Sequence, residues 1–234
     1  MTFRIDDIGA SSKQFEQYSK IKWANLGFLK KIWPFKAWGP YQELTTEEWS
    51  EILNTFKQKN IKPIIAITAT WVEKDSSLTP FPQKFPAQAQ LLKEAFQADD
   101  IIIANHGLSH CIIGQHLPRF HYGNRYFHRE FWPKLDQATH TQHITQSQQI
   151  LEDFFQKPIT IFIPPGNIWS IKTYKALKNT NIKKVISAKY MSDSKETMSE
   201  IEFINDQKDF FAFHDRELKL YGLKWLQQVI KENE

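Results

Sequence analysis

A single cysteine among 234 residues rules out an internal disulfide, and nothing else in the chain points to an oxidising compartment. No uninterrupted apolar run approaches the roughly 18 residues that a membrane span requires, so no transmembrane segment is expected. Like charges do not cluster either: 30 Lys and Arg are interspersed with 26 Asp and Glu, for a net charge of +4. That balance is milder than the footprint of a nucleic-acid binder, so no nucleic acid is expected as a partner. The chain opens Met1-Thr2-Phe3-Arg4-Ile5, with no basic leader running into an apolar stretch. If it is complete, a cytoplasmic location follows. No repeat, low-complexity tract or linker interrupts it, and one domain over residues 1–234 is the expectation.

What the chain does have is aromatic: 18 Phe, 8 Trp and 7 Tyr. Hydrophobic usage of 41% and charged usage of 24% exclude disorder and fibrous classes. Short apolar runs alternate with helical patterns. Strands are expected at residues 2–5, 62–70, 100–104, 159–163, 183–188, 201–204 and 210–213. Between them, Thr45 and Glu48 have capping-box spacing ahead of Trp49, Ile52, Leu53 and Phe56. Helices are further expected over 86–98, 139–156, 169–179 and 217–232, and one or two within 12–38. Alternating strands and helices imply parallel βαβ units, and continuous apolar strands imply burial on both faces. The fold class is therefore α/β, a distorted single-domain (β/α) barrel of about seven parallel strands. Active residues of such barrels sit at the C-terminal strand ends.

Those ends are informative. The first strand runs into Asp6-Asp7, and the third into Asn105-His106-Gly107-Leu108-Ser109-His110. The strand at 159–163 ends in Pro164-Pro165-Gly166-Asn167, and the one at 210–213 in His214-Asp215. Two histidines and one carboxylate leave open positions on a metal, the pattern of a catalytic rather than a structural site. Adjacent carboxylates allow a division of labour, one meeting the metal and the other the attacking water.

These motifs resemble those of the polysaccharide deacetylases, carbohydrate esterase family four. The family's T-F-D-D-G becomes Ile5-Asp6-Asp7-Ile8-Gly9, and its H-[ST]-x-x-H becomes His106-Gly107-Leu108-Ser109-His110. Its F-R-P-P-x-G becomes Phe162-Ile163-Pro164-Pro165-Gly166, without the Arg, and its L-x-H becomes Ala212-Phe213-His214. A fourth motif, Asp before Trp, has no clear counterpart; Asp193 stands in the right stretch without its Trp. The resemblance implies a divergent member, a hydrolase that removes acetyl groups from N-acetylated sugars with a divalent metal, zinc being the expected ion. By analogy it would serve surface-polysaccharide assembly such as lipopolysaccharide O-antigen, on a nucleotide- or lipid-linked sugar. Asp7, His106 and His110 would hold the metal, Asp6 would be the base and His214 the acid.

Arg4 lies two residues before Asp6 on one strand, hence on the same side, and would replace the missing Arg as anchor of the base. Backbone N–H groups after His106 or at 8–10 would stabilise the oxyanion. The stretch 116–132 is rich in His, Arg and aromatic residues. It would overhang the site, with Arg119, Tyr122 and Arg125 binding substrate together with Pro165 and Asn167. A carboxylate beside His214, Asp193 or Asp215, would keep it charged. Cys111, His140 and His143 read as structural, and the aromatic segment 23–38 as core or cleft wall. The competing expectations are a catalytically silent carbohydrate-binding protein on the same fold, and a metal-dependent hydrolase of another amide or ester.

Overall fold

The computed structural model describes residues 1–15, 43–117 and 128–233. The aromatic segment 23–38 lies outside the described residues, and so do Arg119, Tyr122 and Arg125.

Seven strands form one parallel sheet: β1 (Thr2–Ile8), β2 (Ile64–Ile67), β5 (Ile102–Asn105), β6 (Ile161–Phe162), β7 (Lys184–Ser187), β8 (Glu202–Asn205) and β9 (Phe210–His214). Their spatial order is β8-β7-β6-β5-β2-β1-β9, and every neighbouring pair is parallel. The seven strands expected from sequence are these seven. A two-stranded antiparallel ribbon, β3 (Thr70–Val72) with β4 (Leu78–Pro80), extends beyond β2. The helices are α1 (Thr46–Gln58), a short α2 (Phe81–Lys84), α3 (Pro86–Gln97), α4 (Gln137–Phe155), α5 (Ile171–Leu177) and α6 (Asp215–Asn233).

Alternation along the strands divides the core in two. Phe3, Ile5, Ile65, Ile67, Ile101 and Ile103 point outward and pack against α1, α3 and α6 through Trp49, Ile52, Phe56, Leu92, Leu226 and Ile230. Phe162, Val185 and Phe203 do the same against α4 and α5, with Phe131, Ile144, Tyr174 and Leu177. The opposite faces meet each other: Ile64, Ala66, Ala104, Ile161, Ile163 and Ile186 form one cluster with Ile102, Ile204 and Phe210. Residues from β2, β5, β6, β7, β8 and β9 share that cluster, so the sheet is curled around its own interior. Apolar burial on both faces explains why these strands read as unbroken hydrophobic runs.

Candidate metal centre and active site

Asp6 and Asp7 lie near the C-terminal end of β1, where regular alternation would send their side chains to opposite faces. The strand avoids this with a bulge. Ile5 pairs with Ile65 and Ile8 with Ile67, so three steps on β1 face two on β2, and Asp7 takes a left-handed φ of 67°. Aspartate tolerates that conformation better than most residues. Both carboxylates consequently reach the same cavity, about 440 Å³, at the strand ends.

His106 follows β5 directly, and His110 turns back at a left-handed φ of 60°. The Nε2 atoms of His106 and His110 stand 3.3 and 3.0 Å from the same oxygen, Asp7 Oδ1. The second ring nitrogens are engaged behind them: His106 Nδ1 donates to the Ile163 carbonyl at 2.7 Å, and His110 Nδ1 bonds Ser12 Oγ at 3.0 Å. The carbonyl fixes the His106 tautomer with Nε2 unprotonated, and the two bonds together orient both rings with Nε2 toward Asp7. His110 Nε2 is buried and has no hydrogen bond. Burial pushes His110 down to about 4, against the pull of Asp7, so its imidazole is neutral at neutral pH. Burial opposes ionisation of Asp7 as well, but His110, His214 and His106 hold it well below the usual carboxylate range. A neutral imidazole with a free lone pair beside an ionised carboxylate is what a divalent cation requires. Tetrahedral ligands at zinc distances lie about 3.4 Å apart, close to the spacings here. The three residues fit a metal, and among the described residues they form the one such cluster.

Glu130 underlies this loop. Its fully buried carboxylate accepts the backbone N–H groups of Leu108 (2.7 Å), Ser109 (3.2 Å) and His110 (2.7 Å), and pairs with His143 Nδ1 on α4 at 2.9 Å. Gly107, at φ 84°, has no Cβ because that Cβ would strike the Glu130 carboxylate. The glycine at the motif's Ser/Thr position is thereby explained: Glu130 takes the space. Sequence reasoning missed Glu130, which lies 20 residues past His110 in an irregular segment. Its only signal was a carboxylate near two helical histidines, of which His143 is its partner.

The other expected residues are placed as follows. Arg4 contacts Asp6 Oδ2 through Nε (3.1 Å) and NH2 (2.9 Å), and its NH1 reaches Asp206 Oδ2 at 2.5 Å. All three are buried, and they join β1 to the segment after β8. Opposite Arg4 in the register stands Ala212, small enough to leave room for the guanidinium. His214 closes β9, in register with Asp6, with Nε2 4.0 Å from Asp7 Oδ2. Its carboxylate neighbour is Glu217, 3.2 Å from Nδ1, and neither Asp193 nor Asp215. Asp193 accepts the Ile171 N–H, while Asp215 pairs with buried Lys13, so the expectation for those two is corrected. Burial works against charge on His214, but Asp7, Glu217 and Asp6 outweigh it and push the imidazole up to about 10.

Asn167 borders the cavity, although its Oδ1 accepts from Ser187 Oγ and the Ala188 N–H. Pro165 is buried and does not border the cavity; Pro164 and Gly166 do. The expected oxyanion donors after His106 are also corrected. The N–H of Gly107 goes to Asn105 Oδ1, and the next three go to Glu130. His128, from the stretch expected to overhang the site, does border the cavity, its ring meeting His110 edge-on at 4.8 Å; Arg216, 3.2 Å from Asp7 Oδ2, was missed. Cys111 is a buried free thiol, pushed up by burial, and His140 bonds Thr173 Oγ1 and the Trp132 carbonyl.

A curled parallel sheet with an Asp-His-His cluster at its strand ends defines an α/β half-barrel with a candidate metal centre at its rim. The chain belongs to the polysaccharide deacetylase family, whose pattern matches residues 39–185. That match includes both histidines but neither Asp6-Asp7 nor His214, which the sheet register brings beside them. Solved structures similar to the chain include a pseudoenzyme of carbohydrate esterase family 4 from Bacillus anthracis, at 11% identity and TM-score 0.42, over 61% of this chain and 39% of that one. A de-N-acetylase from Aggregatibacter actinomycetemcomitans matches at 14% identity and TM-score 0.45, over 62% and 60%. A family 4 acetyl xylan esterase from Clostridium thermocellum matches at 11% and 0.47, over 82% and 81%. The chain thus spans less than two thirds of each of the first two. No curated protein matches the sequence. Among the described residues, no helix is long and apolar enough to cross a membrane.

Proposed function

We propose that the protein hydrolyses the acetamide of an N-acetylated sugar, in the building of a surface polysaccharide such as O-antigen. The observation that supports this best is the convergence of Asp7, His106 and His110 on one point, in a cavity that also holds Asp6 and His214. A divalent ion held by those three, zinc being the expected one, supplies Lewis acidity and an acidified water. Asp6 accepts the proton of the attacking water, and Arg4 holds that carboxylate through Oδ2. Its Oδ1 is buried without a hydrogen bond and is the atom left to take the proton. The amine cannot leave as an anion. His214, on the adjacent strand and backed by Glu217, donates the proton to the departing nitrogen.

The test is acetate release from a panel of N-acetylated sugars, free, nucleotide-linked and lipid-linked, before and after chelation. Release that chelation abolishes and zinc restores is the expected result. A protein that binds the sugars without releasing acetate would be the silent relative instead.

A further inference from the structure

We infer that Arg216 is a further catalytic residue, the donor to the oxyanion that forms on the acetamide carbonyl. The inference rests on the deacetylase reading and extends it to a residue that reading does not use. Hydrolysis joins the water oxygen to the carbonyl carbon and moves the C=O π pair onto the carbonyl oxygen. The C–N bond then breaks as that pair returns, and the nitrogen leaves with the proton from His214. The transient negative oxygen needs preorganised donors in the cavity.

Backbone groups there are largely spent. The N–H groups of residues 107–110 are bonded to Asn105 and Glu130, and that of Ala10 to the Asp7 carbonyl. On the facing loop, Pro164 and Pro165 carry no N–H at all, and that of Asn167 closes on the Pro164 carbonyl. Of the two guanidinium groups bordering the cavity, Arg4 is held between Asp6 and Asp206. Arg216 sits on the other side of the metal ligand. Its NH2 is 3.2 Å from Asp7 Oδ2, while both histidines face Oδ1. It is the second residue of α6, directly after His214-Asp215, so the group that protonates the nitrogen and the group that receives the oxygen are two residues apart. With the side chain 7% exposed, a charged hydrogen bond to the oxyanion would form largely out of water, where it is strongest.

The experiment compares zinc-loaded wild type with Arg216→Gln and Arg216→Lys. It measures kcat and KM for acetate release, zinc affinity after chelation, and inhibition by a methylphosphonamidate that mimics the tetrahedral carbon. The expected result is a kcat about 10²–10³-fold lower in Arg216→Gln, with KM and zinc affinity little changed. Inhibitor affinity falls in parallel, and Arg216→Lys recovers part of both. A raised KM with unchanged kcat would make Arg216 a substrate anchor and overturn the inference. A kcat deficit that extra zinc repairs would do the same, by making it only a support of Asp7. Wild type that releases no acetate would instead overturn the deacetylase reading itself.

Discussion

Asp7 serves the two histidine nitrogens through one oxygen, and Arg216 and His214 through the other. Asp6 is held from one side by Arg4, which leaves its second oxygen toward the cavity. Replacing His214 with Gln should lower turnover roughly 10²–10⁴-fold with a much smaller change in KM, measured by steady-state acetate release. Replacing Arg4 with Met should cost about 10²-fold in kcat through misplacement of Asp6, while zinc affinity holds. At this scale much could be read in advance: Asp6, Asp7, His106, His110 and His214 are polar residues interrupting or ending apolar runs. Asp206, Glu217 and Arg216 could not, because each acts through a partner roughly 200 residues away or by a turn that only the fold positions. The bulge that turns Asp7 was equally hidden, since a left-handed Asp looks like any other in sequence.

Among the elements, α1 was the plainest in sequence, because capping is local. Thr45 accepts the Glu48 N–H and Glu48 returns a bond to the Thr45 N–H. Thr45→Ala should lower unfolding stability by about 1 kcal/mol, read by denaturant titration. The ribbon of β3 and β4 escaped notice: three-residue strands carry too little pattern, and Thr70 to Val72 merges with the apolar run of β2. The loop carrying His106 and His110 depends on an element far along the chain, Glu130 with His143 of α4. Glu130→Gln keeps the shape but turns an amide NH2 against the row of backbone donors. Zinc affinity should weaken about 10–100-fold by calorimetric titration, the usual worth of an outer-shell partner. Unchanged affinity would reduce Glu130 to packing.

Across the whole molecule, the seven-stranded sheet is curled, and Arg4 on β1, bonded to Asp206 just past edge strand β8, ties one end of the sheet to the strand next to the other edge. The parallel order was legible because strands and helices alternate; the strand neighbours were not, since they depend on long-range pairing. One domain over 1–234 remains our proposal, and it requires that heat unfolding show coincident transitions by tryptophan fluorescence and circular dichroism. The buried histidines also set a pH profile for the chelated protein. His110, lowered to about 4 from 6.5, stays neutral on folding, so its contribution is lost as pH falls from 6.5 through 4. His214, raised to about 10, contributes fully below 6.5 and loses that contribution as pH rises through 10. The midpoint temperature of the chelated protein should therefore peak near pH 6.5; zinc should flatten the alkaline slope by taking over Asp7 and steepen the acid one, because it binds only the neutral His110.

The most direct test of the metal centre is a zinc titration of chelator-treated wild type, Asp7→Asn and His106→Gln, each checked for native circular dichroism. One tight site in wild type, lost in both variants while the fold persists, is the predicted result. Wild type that takes up no stoichiometric zinc, or variants that bind it as wild type does, would contradict the account at its centre.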